Sequence, residues 1–157
     1  MNNILIRKAN LDDVNIIQHL NNELFKLEKE NYDSTLVSDW PLTEEGRLYF
    51  EDLVENHFVI VATLNEEVVA YLAGSINDKG SYEKIQYGEI NNMLVTDKCR
   101  GLGIGKLLVD EFKNYCKENN IENLKVEASA KNINAINFYQ KNGFENFNVT
   151  LTMNIKE

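Results

Sequence analysis

Through residues 4–9, ILIRKA, apolar and polar side chains alternate, which predicts a strand with one buried face. The period then changes. Leu11, Val14, Ile17, Leu20, Leu24 and Leu27 recur at steps of three and four, the stripe of an amphipathic helix, and Asn10 or Asp12 can cap its start. Residues 31–42 break the stripe and end in Trp40-Pro41-Leu42. The single proline stands just ahead of a second helical stretch, TEEGRLYFEDLVENH, for which Thr43 is a suitable cap.

Strand patterns follow. FVIVATL (58–64) and VVAYLAGSI (68–76) flank Asn65-Glu66 and predict a hairpin. After the turn NDKGSY (77–82), KIQYGEINNMLV (84–95) predicts a third strand. A glycine-rich joint leads into a helix over 104–119, with Ile104, Leu107, Leu108, Phe112, Tyr115 and Cys116 on one face. NLKVEAS (123–129) predicts a strand, NINAINFYQKN (132–142) a helix, and FNVTLTMNI (147–155) a last strand. The order βααβββαβαβ has no internal repeat, linker or low-complexity tract. An antiparallel run followed by a strand–helix–strand crossover predicts a mixed sheet with helices on its faces, in one domain over residues 1–157.

Composition narrows the class. With 157 residues, 43% apolar and 26% charged, the chain can bury a core without disulfide or metal staples. Cys99 and Cys116 are too few for a disulfide framework and fit a reducing, cytoplasmic setting. The start, MNNILIRKANLDD, lacks the apolar stretch of a signal peptide, and no run approaches the length of a membrane span. The net charge of −9 opposes binding to a nucleic-acid backbone. It is also uneven. Residues 21–60 hold ten acids against three bases, whereas residues 95–141 hold six acids against eight bases. The first region favours cations and the second tolerates anions, although a solvated acidic helix pair would carry the same excess.

The joint is Val95-Thr-Asp-Lys-Cys-Arg-Gly-Leu-Gly-Ile-Gly-Lys106. Glycines between a strand end and a helix start allow close approach to unpaired helix-start N–H groups, which suits an anion, although tight turns use glycine too. The dinucleotide fingerprint fails because residue 106 is lysine. The P-loop pattern fails because residues 100 and 107 are Arg and Leu. What fits is Arg100-x-x-Gly103-x-Gly105. It is followed downstream by Asn132-x-x-Ala-Ile-x-Phe-Tyr-x-Lys-x-Gly-Phe144.

These two stretches, with the opening IRKANLDDV, resemble the GNAT superfamily of N-acetyltransferases: its pyrophosphate loop, its C-terminal signature and its first strand and helix, in order over nearly the whole chain. The resemblance implies a GNAT-like acyl-CoA N-acyltransferase fold: α/β (α+β), with a mixed, mostly antiparallel sheet of about six to seven strands flanked by four helices. It implies acetyl-CoA as donor, no metal, and direct attack by a primary amine in a ternary complex. His19 and His57 are isolated and no metal-ligand spacing occurs. The acidic 21–60 region points to a cationic acceptor, such as a polyamine, an aminoglycoside-like molecule or a peptide amine. A homodimer is common in that family. A catalytically silent acyl-CoA sensor is the alternative.

Direct attack needs a free amine, so a carboxylate must remove a proton. Strand alternation sets Glu89, Asn91 and Met93 on one face opposite Ile90 and Leu94, and Lys125, Glu127 and Ser129 on another. Glu89 and Glu127 both match positions that branches of the family use as base. Tyr139 matches the family's acid for the departing thiolate, although aromatic side chains on a short helix usually fill a core. For the donor the resemblance implies the backbone of Met93, Leu94 and Val95, the loop Arg100, Gly101, Leu102, Gly103, Ile104, Gly105 and Lys106, and Asn132 with Tyr139 at the pantetheine end. Cys99, ahead of Arg100, offers a rival covalent route. Trp40 reads as a core plug or as an aromatic pocket wall.

Overall fold

The structure, a computed structural model, describes residues 3–156, so Met1 and Asn2 of the predicted leaderless start lie outside it. Strands β1 (Ile4–Lys8), β2 (Phe58–Leu64), β3 (Glu67–Ile76), β4 (Tyr87–Val95) and β5 (Asn123–Val126) form one sheet in the order β1-β2-β3-β4-β5. The first four are antiparallel, and β5 joins β4 in parallel. Asn65 and Glu66 take positive φ values of 50° and 72° at the hairpin tip, as a tight turn matched to strand twist requires.

Four helices cover the sheet: α1 (Val14–Asn31), α2 (Glu44–Asn56), α3 (Ile104–Glu118) and α4 (Ile133–Lys141). Asn10 and Asp13 form a capping box ahead of α1. Thr43 caps α2 by accepting from the Gly46 N–H, and Asn132 caps α4 by accepting from the Ala135 N–H. Alternation along the central strands splits the core in two. Ile60, Ala70, Leu72 and Ile90 meet Leu108, Val109, Phe112 and Cys116 of α3. Val59, Val61, Tyr71 and Ala73 meet Ile17, Leu20, Phe50 and Leu53 of α1 and α2. No helix among the described residues is long and apolar enough to cross a membrane.

Three expectations need correction. The sheet has five strands rather than six to seven. The segment 147–155 alternates as a strand should, yet it is exposed and pairs with no strand among the described residues; alternation supplies a face but not a partner. Strand β5 ends at Val126, not at residue 129, because the chain turns away towards α4. Finally, the facing of β4 changes along its length. Ala73 pairs with Asn92 while Gly74 pairs with Ile90, so Asn91 is an inserted bulge residue. Ile90 and Met93 therefore share the α3 side, and Leu94 faces α1 and α2, contrary to simple alternation.

Candidate active site

Strand β4 is fully partnered on one side only. Strand β3 follows it from Gly88 to Val95, but β5 pairs with it only from Tyr87 to Ile90. Beyond Ile90 the two parallel strands part, leaving the β5 side of Asn91–Val95 without a strand partner. The bulge at Asn91 sits where they separate. A splayed pair of parallel strands exposes backbone N–H and C=O groups along a wedge, which an extended chain with amide groups can pair with. Met93, Leu94 and Val95, the expected pantetheine contacts, lie along this wedge. Leu94 is itself buried, so its contribution would come from its backbone.

The wedge leads to the start of α3. Gly101 and Gly103 have φ values of 78° and 79°, conformations that L side chains rarely adopt, and nothing lies within 4 Å of where a Cβ would stand. The bond from the Leu107 N–H to the Gly103 carbonyl (3.2 Å) is the first to close onto the helix, so the N–H groups of Ile104, Gly105 and Lys106 precede the regular ladder. The combination of open backbone and helix start fits a pyrophosphate. The glycines divide the work. Gly105 is needed because a Cβ there would lie 3.1 Å from the Phe138 ring, so it sets how closely α4 approaches α3. Ile104 is buried, and only its backbone faces the loop. Leu102 is exposed, Lys106 pairs with Asp110, and the Arg100 guanidinium lies 2.9 Å from Asp97.

On the α1–α2 side of β4 the structure gathers a polar cluster. The Asn77 amide donates to the Glu89 carboxylate, whose side chain is 22% exposed and lies 3.7 Å from the Lys125 ammonium. The Ser75 hydroxyl donates to the Asn91 side chain at 2.9 Å. Tyr49 of α2 stands close by. Burial pushes its pKa up, the Asn92 amide opposes this, and the Glu89 charge adds to the rise. The Asn92 side-chain oxygen is buried without a hydrogen-bond partner among the described residues. Glu127, by contrast, is exposed just past the end of β5. Of the two glutamates singled out from the sequence, the structure brings only Glu89 into the cluster.

One wall of this region is aromatic. Phe25 stacks on Trp40 (6.2 Å), and Trp40 meets the edge of Tyr49 (5.5 Å). The segment bearing Trp40 is held to α1 by buried amides: Gln18 donates to the Pro41 carbonyl and Asn22 to the Ser38 carbonyl, both at 2.8 Å. Trp40 is half-buried, between the two roles open to it from sequence. At the end of α1, burial pushes the Glu28 carboxyl up, the Asn132 side chain draws it down, and the Asp33 charge raises it again. The acidic end of α1 therefore reaches the cap of α4.

Tyr139 packs edge-on between Phe138 (5.1 Å) and Phe144 (5.4 Å). Burial pushes its hydroxyl up to about 12. Cys99 is 4% exposed within the α3-side core, which removes it from the reach of a substrate. The sequence reading missed Tyr49, Asn77, Asn92 and Glu28. Its one available signal was polarity on an apolar stripe: Gln18, Asn21 and Asn22 all lie on the buried face of α1.

The acetyltransferase (GNAT) family profile matches residues 21–144. An uncharacterized N-acetyltransferase of Methanocaldococcus jannaschii is 31% identical over 144 residues, covering 90% of this chain and 78% of that one. Among solved structures, a tetramutant of the BH1408 protein from Bacillus halodurans superposes with a TM-score of 0.83 at 20% identity, over 96% and 99% of the two chains. A predicted acetyltransferase with acetyl-CoA from Clostridium acetobutylicum gives 0.74 at 24% identity, over 98% and 97%.

Proposed function

The chain belongs to the GNAT acetyltransferase family, and on that premise we propose that it is an acetyl-CoA-dependent N-acetyltransferase of a small cationic amine, with Glu89 as general base and Tyr139 as proton donor. The observation that carries the reading is the position of Glu89. It is a half-buried carboxylate at the point where β4 and β5 part, beside the wedge suited to the donor's pantetheine arm.

The donor's pyrophosphate would lie on the backbone from Gly101 to Lys106, and its amide-bearing arm along Met93–Val95. Asn132 would meet the far end of that arm while capping α4. Glu89 takes a proton from the ammonium of the acceptor, directly or through a water, because a lysine-like amine is roughly one part in a few thousand unprotonated at pH 7. The neutral amine then attacks the thioester carbonyl. A backbone N–H of the wedge stabilises the oxyanion. As the C–S bond breaks, Tyr139 donates to the sulfur; with its pKa near 12 it stays protonated throughout the working range. The product is an amide and free CoA.

The excess of acids over residues 21–60, together with Glu28, Asp33 and the ring of Trp40, favours a positively charged acceptor. The test is an amine panel incubated with acetyl-CoA, with products weighed by mass spectrometry and CoA release followed in parallel. Acetylated polyamine or aminoglycoside-like amines are the expected products. A best acceptor that is neutral or acidic would overturn the cationic assignment, and no CoA release with any amine would overturn turnover itself.

A further inference from the structure

The C-terminal segment leaves the body of the protein with its apolar side uncovered. Phe147, Val149, Leu151, Met153 and Ile155 are 78–89% exposed and occupy every second position. Between them stand Asn148, Thr150, Thr152 and Asn154, so the segment 147–155 has no charge. This is the sequence of a half-buried strand. Yet residues 145–156 make no backbone–backbone hydrogen bond to any described residue. Nine residues in strand geometry extend roughly 30 Å.

The same fold carries an unused acceptor for such a strand. Strand β5 closes the sheet and pairs on one side only, with β4. Its four residues are half-buried, with Leu124 and Val126 packed against the α3-side core. A groove of about 320 Å³ opens at its foot, lined in part by Lys113, Leu124, Asn142 and Phe144. The chain enters its arm here: Phe144 lines the groove, and the Phe147 ring lies 6.4 Å from that of Tyr87, the residue paired with the first residue of β5.

We propose that the segment 147–155 is an exchanged strand, which adds to the free edge of β5 in a second copy of this chain, while the second copy's arm returns to β5 of the first. Two features select a second copy as the occupant. An unpaired arm and an unpaired edge on one chain make a two-fold exchange self-complementary, so both are satisfied at once. The area also suffices. Side chains of these types bury roughly 60–120 Å² each, so two reciprocal arms and the surfaces that receive them cover about 1,200–2,400 Å², the range of a stable interface. A chain without charge in this segment offers nothing to a nucleic acid or an anionic lipid surface.

The experiment uses the full chain. Sedimentation equilibrium at micromolar concentration should give a dimer. The variant L151D/M153D, which puts charges on the apolar side, should weaken dimerisation by roughly 30-fold or more while keeping its circular dichroism; T152K, on the polar side, should not. Should the double variant fail to fold, the native chain still decides. An equimolar mixture of isotopically light and heavy chains, treated with an amine-specific cross-linker, should give mixed-isotope links from Lys156 to Lys113 or Lys125. A monomer at these concentrations, a dimer indifferent to L151D/M153D, or links confined to single chains would each overturn the exchange.

Discussion

The two helical layers on this sheet are built on different chemistry. Every buried residue of α3 is apolar: Ile104, Leu108, Val109, Phe112 and Cys116. It approaches the sheet so closely that a Cβ at Gly74 would lie 2.5 Å from the Phe112 ring, and one at Gly88 2.4 Å from the Cys116 Sγ. The α1 layer buries Gln18, Asn21 and Asn22 beside its Val, Ile and Leu residues. Asn21 donates to the hydroxyl of the fully buried Tyr71 at 2.8 Å, while Gln18 and Asn22 hold the Trp40 segment. One layer is fixed by shape and starts the phosphate loop. The other is fixed by directional bonds and positions the walls around Glu89. A layer that must hold an irregular segment in place needs hydrogen bonds, because its carbonyls have no helix or strand to satisfy them.

If the polar layer carries the acceptor chemistry, its carboxylate should matter most. Glu89→Gln should lower kcat/KM by about 10²–10⁴-fold near neutral pH, with partial recovery at high pH where free amine is abundant. Glu127→Gln should stay near wild type; a reversed order of the two in pH–rate profiles would exchange their roles. Tyr139→Phe, on the donor side, should leave acetyl-CoA affinity unchanged and lower kcat by roughly 10- to 1,000-fold. An unchanged kcat, measured beside the melting temperature, would assign Tyr139 to packing alone.

The contrast in packing has its own tests. Gly88→Ala should cost about 1–3 kcal/mol in denaturant unfolding, since backbone and a core sulfur must move apart. Asn21→Ala should cost a similar 1–3 kcal/mol by leaving the buried Tyr71 hydroxyl unpaired. The pair Asn21→Leu with Tyr71→Phe should recover part of that loss, which no second substitution in α3 can do for Gly88. If the pair is no better than Asn21→Ala, the polar layer is held by shape after all.

The smallest effect concerns acid. Arg7 donates two hydrogen bonds to Asp13 at 2.7 and 2.8 Å, and the Asn10 N–H a third at 2.9 Å. Those to Arg7 lower the Asp13 pKa most, against the opposing effect of burial. Its contribution is therefore complete above the ordinary carboxylate pKa of about 4 and is lost as pH falls through the lower folded value. Melting temperature should drop over that acid range, and Asp13→Asn should flatten this part of the profile.

The sequence by itself determined the elements whose cause is local. Asn10 and Thr43 cap helices because their side-chain oxygens reach N–H groups a few residues on, and Asn65-Glu66 turns because two strands need a tight link. The glycine loop and the α4 signature were legible for the same reason, and with them the family. The tertiary structure decided what depends on a partner. The Asn91 bulge turns Met93 and Leu94 to faces opposite those that period two assigns, because register is set against β3 and not within β4. Glu89 was singled out over Glu127 only when β5 stopped at Val126. Glu28 meets Asn132, and Tyr49 meets Asn92, across long stretches of chain that no local pattern links. The segment 147–155 carries all the information of a strand except where to pair, since backbone hydrogen bonds in a sheet are made between segments and never within one.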